Sequence, residues 1–157
     1  MKINLYLFLY FIPFLSNAQS EYNFYIEEGN IIWLKDSVFV NSKTDIKSRL
    51  LEKLESVDGI EIMNSSRPLL IRAKMLNVNS VKRTPFGVFI QEAVKGEIRL
   101  EILSDSYYKI KLTSLVRVFD RQFTFESQIL KKKRTVFFNE IFQDLVNKRF
   151  LELFILD

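Results

Sequence analysis

The sequence predicts an α+β domain: a curved antiparallel sheet of about five to six strands with two helices packed on one face, in the order β-α-β4-α. Apolar residues recur at helical spacing in two segments, residues 46–57 and 138–153. Between these segments apolar and polar residues alternate, as in antiparallel strands with one covered face. The chain has only four glycines and three prolines. A run of strands flanked by helices is therefore expected to form one layered domain.

The first 18 residues, MKINLYLFLYFIPFLSNA, have the pattern of a secretory signal peptide. A single lysine precedes an apolar run from Ile3 to Leu15. That run is shorter than the roughly 20 residues of a membrane-spanning helix, and Pro13 disfavours a continuous one. We expect cleavage after Ala18, export to the periplasm or the medium, and a single domain over residues 19–157. The alternative is an N-terminal anchor that stays attached.

The expected mature chain is mildly basic. Without the lysine of the signal peptide, 22 Lys and Arg residues stand against 19 Asp and Glu residues, a net charge of +3. A dedicated nucleic-acid binder usually carries a stronger and more clustered excess of cations. Nucleic acid is therefore a disfavoured partner, and an envelope protein, lipid or glycan is preferred. No transmembrane helix is expected after signal cleavage.

Two strands and a helix are predicted at the start of the mature chain. Tyr22 to Ile26 and Ile31 to Val40 are rich in aromatic and β-branched residues, and the polar turn EEGN separates them. Ser42 is the expected N-cap of the helix, with Asp45 as its acidic partner three residues on. Gly59 supplies the stop, because glycine accepts the left-handed conformation that ends a helix.

Further strands are predicted between the two helices. Ile60 to Met63 is expected to pair with Leu69 to Leu76, and Val78 to Gly87 has the composition of a loop. The clearest hairpin joins VKGEIRLEIL to YYKIKLTSLVRVF through a turn from Ser104 to Ser106. Acids on its first arm and lysines on its second are expected to form cross-strand pairs. Phe123 to Leu130 is a candidate for one more strand.

The last predicted element is a covering helix in FFNEIFQDLVNKRFLELFIL. Its apolar stripe consists of Phe138, Ile141, Phe142, Leu145, Val146 and Leu153. Its polar face consists of Glu140, Asp144 and Asn147. Beyond Phe150 nearly every residue is apolar, so this end either docks in the core or forms an exposed apolar end.

This layout resembles a known family. The signal peptide, Trp33 within IIWLKDSVF, the amphipathic helix that follows, and the hairpin VKGEIRLEILSDSYYKIKLTSLVRVF together resemble a family of uncharacterised secreted bacterial domains. That family is described as having a TATA-binding-protein-like (TBP-like) fold. The resemblance extends from about Asn30 to the end of the chain. It implies the fold, and it implies no catalytic residues.

The residue content excludes several kinds of catalytic site. The chain has no histidine and no cysteine. This removes the commonest general base, the Ser-His-Asp and Cys-His arrangements, disulfides and the usual zinc ligand sets. We expect no enzyme activity, no catalytic or metal-binding residue and no cofactor. The alternative is a carboxylate-dependent hydrolase of secreted polymers that uses Glu27 and Glu28, which otherwise form a solvated turn.

Two groups of side chains are candidates for a binding surface. The first is a basic patch for phosphates or anionic lipid. Its members are Lys131, Lys132, Lys133, Arg134, Lys82 and Arg83. The alternative for the four adjacent cations is a solvated loop that keeps an edge strand from pairing. The second group is Phe86 and Phe89, either an exposed partner surface or residues packed on the sheet.

The sequence favours an exported envelope protein that acts as a non-catalytic binding or accessory module. The second hypothesis is a cytoplasmic nucleic-acid-binding domain that uses the curved sheet and the basic loop. The third hypothesis is the hydrolase. These three classes differ in location and in the side chains that they use, so the structure of the sheet and its surfaces bears on all of them.

Overall fold

The computed structural model describes residues 21–38, 45–64, 67, 69–83, 89–118, 122–131, 136–137 and 139–156. The strands are β1 (Phe24–Glu27), β2 (Asn30–Val38), β3 (Ile60–Asn64), β4 (Leu70–Arg83), β5 (Phe89–Ser104), β6 (Tyr107–Val118), β7 (Gln122–Thr124), β8 (Leu130–Lys131) and β9 (Val136–Phe137). The helices are α1 (Ile46–Glu55), α2 (Phe125–Ile129) and α3 (Glu140–Phe154).

Seven strands form one antiparallel sheet in the order β1-β2-β6-β5-β4-β3, with β7 paired to β6. A separate two-stranded ribbon joins β8 to β9. The predicted α+β fold with a curved antiparallel sheet is confirmed. In detail the sheet has seven strands where five to six were expected, and α2 adds a short third helix.

One face of the sheet forms the core together with the helices. Trp33 of β2 and Ile110 of β6 are fully buried, as are Leu50 of α1 and Phe150 of α3. The ring of Trp33 meets the ring of Phe150 edge to face at 5.4 Å between centroids, a favourable aromatic geometry. Because side chains of a strand alternate between faces, the neighbouring residues of each strand point to the other side of the sheet.

The predicted hairpin is present as β5 and β6. The residues directly opposite one another include Ile98 with Leu112 and Leu100 with Ile110. All four are buried. The alternation therefore fixes the register, since a slip by one residue would move this apolar set to solvent. The turn itself is the pair Asp105–Ser106.

A line of irregularities bends the sheet across three adjacent strands. The register shifts between Met75 and Val78 in β4 and between Lys95 and Glu97 in β5. In β6, Ser114 has φ of 54°. Such bulges bend a strand and increase its twist.

The prediction of a loop from Val78 to Gly87 is wrong as far as Arg83. Strand β4 continues to that residue, and its last six residues pair with the start of β5. The composition of this segment suits a loop, but a partner strand supplies ladder hydrogen bonds that outweigh weak strand propensity. Residues 84–88 lie outside the described residues.

The start of α1 differs from the prediction. The N-cap is Asp45, whose Oδ1 accepts a hydrogen bond from the backbone N–H of Lys47 at 3.2 Å. A carboxylate cap at this position satisfies a free N–H of the first turn. The prediction that Ser42 caps the helix is therefore wrong, and Ser42 itself lies outside the described residues. Gly59 does adopt a positive φ, 85°, shortly after the helix ends.

The candidate strand from Phe123 to Leu130 is mostly wrong. Strand β7 ends at Thr124, and α2 follows at once. Phe125 and Ile129, four residues apart, are both fully buried. This is helical spacing, and the strand interpretation overlooked it.

The last helix is confirmed, with two corrections to its faces. Ile141, predicted in the apolar stripe, is 76% exposed, and Asn147, predicted opposite, is buried. The buried stripe runs through Phe142, Val146 and Phe150, and an amide can join it when its hydrogen bonds are satisfied. Phe154 and Leu156 are also buried, so the apolar C-terminal end docks in the core.

Candidate functional site

The face of the sheet opposite the helices, here called the open face, carries charged side chains on strands from β1 to β3. Its acids are Glu27, Asp36, Glu61, Glu97 and Glu101, and its cations are Arg72, Lys74, Lys95, Arg99, Lys109 and Lys111. Among the described residues of this face five acids thus stand against six cations. The open face presents a mixed charge pattern, not a field of one sign.

Ion pairs connect several of these side chains. Arg99 Nη2 lies 2.6 Å from Glu101 Oε1, and Lys111 Nζ lies 2.5 Å from Glu27 Oε2. Lys109 lies 4.0 Å from Asp36. All of these groups are at least 31% exposed. Exposed pairs of this kind contribute little to stability, about 0–1 kcal/mol each.

The cross-strand pairing expected in the hairpin is only partly present. Glu101 does stand directly opposite Lys109, but Glu97 faces Thr113 and Arg99 faces Lys111. The ion pairs that form instead run along β5 or reach out to β1 and β2. The sheet order explains this result, because β2 lies beside β6 with β1 beyond it. These strands supply Asp36 and Glu27, acids that the hairpin sequence does not contain.

Two shallow depressions lie on the open face. The first, about 340 Å³, is lined by Glu27, Ile32, Leu34, Arg99, Glu101, Lys109 and Lys111. The second, about 440 Å³, is lined by Met63, Arg72, Ala73, Glu97, Ile98, Arg99, Lys111 and Thr113. Arg99 and Lys111 contribute to both. The volumes of the two depressions fall in the range of small-molecule sites, which is roughly 300–1,000 Å³.

Apolar side chains are exposed at the end of the sheet where β5 turns into β6. Val38, Leu69 and Leu103 are each more than half exposed. Val38 stands opposite Tyr107. Partial burial and the nearby carboxylate of Asp36 raise the pKa of the Tyr107 hydroxyl above its ordinary value. These three side chains and Tyr107 make this end of the sheet more apolar than the charged centre of the open face.

Buried polar side chains near this sheet have structural partners. Trp33 Nε1 donates to Asn147 Oδ1 at 2.9 Å, and Asn23 Nδ2 donates to the same oxygen at 2.9 Å. The Tyr108 hydroxyl donates to the carbonyl of Phe154 at 3.1 Å. These bonds tie α3 and the C-terminal end to β2 and β6, and they face the core, away from the open face.

The structure describes little of the predicted basic patch. Lys131 is exposed in the β8–β9 ribbon, and Lys132, Lys133 and Arg134 lie outside the described residues. Lys82 and Arg83 belong to the far end of β4, where only the backbone is described. The proposal that these six cations form one patch stays a prediction.

The predicted aromatic surface is also only partly covered by the described residues. Phe86 lies outside the described residues, while Phe89 begins β5 opposite Arg83. Its side chain is not described, so the choice between an exposed surface and packing on the sheet stays a prediction.

The carboxylate pair consists of Glu27, the last residue of β1, and Glu28, in the turn between β1 and β2. Glu27 pairs with Lys111, and Glu28 has φ of 50° in the turn. Among the described residues no group of three or more carboxylates is placed to hold a metal ion. Within the same residues no helix is long and apolar enough to cross a membrane.

Local sequence patterns do not identify the open face as a site. The alternation of charge in GEIRLEI and YKIKL identified a solvated side of the hairpin, but not its neighbours. Arg72 in LLIRAKML joins this surface only through the pairing of β4 with β5. Strand order is a long-range property, so no local signal reveals which charges become adjacent.

Comparison with known proteins gives a likeness of fold. No family model and no curated protein matches the chain. A DUF4468 family protein from Bacteroides ovatus ATCC 8483 aligns with a TM-score of 0.53 and 12% identity, over 78% of this chain and 79% of that one. A TBP-like protein from Parabacteroides distasonis ATCC 8503 aligns with a TM-score of 0.48 and 10% identity, over 80% and 88%.

The structural neighbours are thus a DUF4468 family protein and a TBP-like protein. The first likeness, at 12% identity, shows the fold alone. At that level the predicted α+β fold is confirmed, and it is similar to the fold of a DUF4468 family protein.

Proposed function

We propose that this protein is an exported, non-catalytic binding or accessory module of the cell envelope, and that the open face of the sheet is its binding surface. The observation that carries the proposal is the open face itself. It presents exposed charges of both signs, two depressions and an apolar end, while the helices cover the other face. The envelope location rests on the signal-peptide pattern of the first 18 residues.

The mixed charge of the open face favours this proposal over the nucleic-acid hypothesis. A surface that tracks a phosphate backbone needs a clear excess of cations, and its affinity falls steeply with salt. On the open face five acids interleave with six cations in the described residues. Three of those acids lie within ion-pair distance of cations. This pairing weakens the attraction of the cations for a polyanion.

The hydrolase hypothesis has less support from the geometry. Its two residues are adjacent in a turn, and Glu27 is engaged by a lysine. A glycosidase needs two carboxyl groups facing each other across the substrate, about 5–10 Å apart. If the purified protein degrades a polymer, Glu27→Gln should therefore leave that activity unchanged. A loss of activity in Glu27→Gln would restore the hydrolase hypothesis.

Fractionation with intact-mass measurement tests the location. The native protein is recovered from cytosol, envelope and medium, and its mass is measured. We expect a chain that begins at Gln19, found outside the cytosol. A full-length chain in the membrane fraction would mean an uncleaved anchor, and a full-length chain in the cytosol would contradict export.

A further inference from the structure

Three cations stand directly opposite one another on adjacent strands of the open face. Arg72 of β4 faces Arg99 of β5, and Arg99 in turn faces Lys111 of β6. We call these three residues the cation row. With strands about 4.8 Å apart, the row spans roughly 10 Å. Like charges directly opposite one another destabilise a sheet, so the stability of the fold does not account for this arrangement.

The three cations differ in how their charge is balanced. Arg99 pairs with Glu101, and Lys111 pairs with Glu27. Arg72 is exposed and forms no ion pair within the part of the chain that the structure describes. Its guanidinium, a planar fork of five N–H donors, is available to a ligand.

The cation row lines the second depression of the open face. The same depression contains Thr113, whose hydroxyl is a further hydrogen-bonding group, and the exposed side chain of Met63. Glu97 is the one acid among its lining residues. Glu101 and Glu27, which pair with the row, line the first depression instead. Three cations thus stand against one acid in the lining of the second depression, but Glu101 and Glu27 balance two of the three from its margin. Arg72 is the member of the cation row whose charge no described acid pairs with.

We propose that the second depression binds a phosphate group carried by a small molecule or a lipid, an inference that rests on the proposed function of the open face. A phosphate monoester has three terminal oxygens and nearly two negative charges, so it can bind Arg72 and compete with Glu101 and Glu27 for Arg99 and Lys111. A carboxylate has two oxygens and one charge. The organic part of the ligand lies against Met63. The phosphate belongs either to a soluble monoester or to the headgroup of an anionic lipid.

Calorimetric titration of the purified protein with phenyl phosphate and with inorganic phosphate tests the proposal, with acetate as the reference anion. Arg72→Ala is expected to weaken phenyl phosphate binding at least about tenfold, the loss of one charge-assisted pair. Lys74→Ala is the matched control, since Lys74 lies two residues along the same strand and does not line the depression. It is expected to weaken binding less than about threefold, a screened charge effect.

Flotation with phosphatidylcholine vesicles, with and without phosphatidic acid, separates the two sources of phosphate. Binding only to the vesicles with phosphatidic acid, lost in Arg72→Ala, assigns the lipid headgroup. Binding of phenyl phosphate without vesicle binding assigns a soluble monoester. Thermal melts confirm that both variants fold, and Arg72→Lys, which keeps the charge but loses the fork, is expected to bind with intermediate affinity.

Three results would overturn the proposal: no binding of phenyl phosphate, inorganic phosphate or phosphatidic acid vesicles, equal losses in Arg72→Ala and Lys74→Ala, or binding to an oligonucleotide alone. These failures are distinct from a failure of the proposed function. A protein that is exported and contacts a partner through the open face, yet ignores phosphate, would refute the phosphate site and leave the binding module standing.

Discussion

Asn147 joins the last helix to β2 and to the residue that precedes β1. Its Oδ1 accepts hydrogen bonds from Trp33 and from Asn23. Its polarity predicts the solvent side of the helix, since the sequence pattern does not show which distant groups can form hydrogen bonds with it. A buried amide is acceptable where donors meet it, and the donors here lie 114 and 124 residues away in the sequence.

Replacing Asn147 tests this role. Asn147→Leu leaves the buried Trp33 N–H without its acceptor and should lower the free energy of unfolding by about 1–3 kcal/mol. Urea unfolding measures the loss. The matched comparison is a double-mutant cycle with Trp33→Phe, in which coupling of about 0.5–3 kcal/mol is expected. Additive effects of the two changes would show that the bond contributes nothing.

The hydroxyl of Tyr107 provides a titration test on the open face. Partial burial, then the Asp36 carboxylate, raise its pKa above the ordinary value of 10.0. Asp36→Asn should lower this pKa, measured by ultraviolet absorbance with Tyr107→Phe as the blank. Because the folded-state pKa is the higher one, the contribution of Tyr107 to stability is present below pH 10 and falls as pH rises through that pKa. An unchanged pKa in Asp36→Asn would contradict the contact.

At the level of elements, α2 completes the hydrogen bonding of β2. Pairing of β2 with β6 begins at Trp33. Ile31 lies outside that pairing, and its backbone N–H donates to Glu126 Oε1 at 2.6 Å. Glu126 is largely buried in α2. A side chain thus replaces a strand as the partner of this backbone group, which fixes α2 against the sheet.

Substitution of Glu126 separates hydrogen bonding from charge. Glu126→Gln keeps an acceptor oxygen and should change stability by less than about 1 kcal/mol, whereas Glu126→Ala leaves a buried N–H unsatisfied at a cost of about 1–3 kcal/mol. Chemical denaturation compares the two variants. Equal losses would mean that the carboxylate charge, not its acceptor role, matters here.

The turn after α1 needs a glycine, because the backbone of β4 passes very close to it. Gly59 has φ of 85°, and a Cβ added there would lie 2.7 Å from the carbonyl oxygen of Asn77. Gly29 has a similar φ, 79°, but its Cβ would meet open space. Gly29→Ala should cost about 1–2 kcal/mol for the left-handed conformation alone, and Gly59→Ala clearly more. Similar midpoints of urea unfolding for the two variants would contradict the close approach.

Elements with strong local periodicity were predictable, and those that depend on distant partners were not. The β5–β6 hairpin and α3 carry their own alternating or helical patterns and were found. The extension of β4 to Arg83 needs β5 beside it, and α2 is only five residues long. The cap of α1 was displaced from Ser42 to Asp45 because several polar residues in a row can each serve as a cap.

At the scale of the whole molecule, strand order creates the surface that the sequence did not reveal. The charged sides of the hairpin were predictable from alternation. Their combination with Arg72, Glu27 and Asp36 follows from the order β1-β2-β6-β5-β4-β3. The predicted site at Lys131 and the residues after it was chosen because its cations are adjacent in sequence. The open face shows that cations distant in sequence become neighbours in the sheet.

The most direct test of the account is photo-crosslinking in intact cells, with a photoreactive amino acid placed at Lys109 or at Arg149. The two side chains are similarly exposed, 38% and 39%, and each pairs with an acid. Lys109 lies on the open face, while Arg149 belongs to α3 on the opposite side. We predict a specific adduct with an envelope component from position 109 and none from position 149. Adducts from position 149 alone, or equal adducts from both, would contradict a binding surface on the open face.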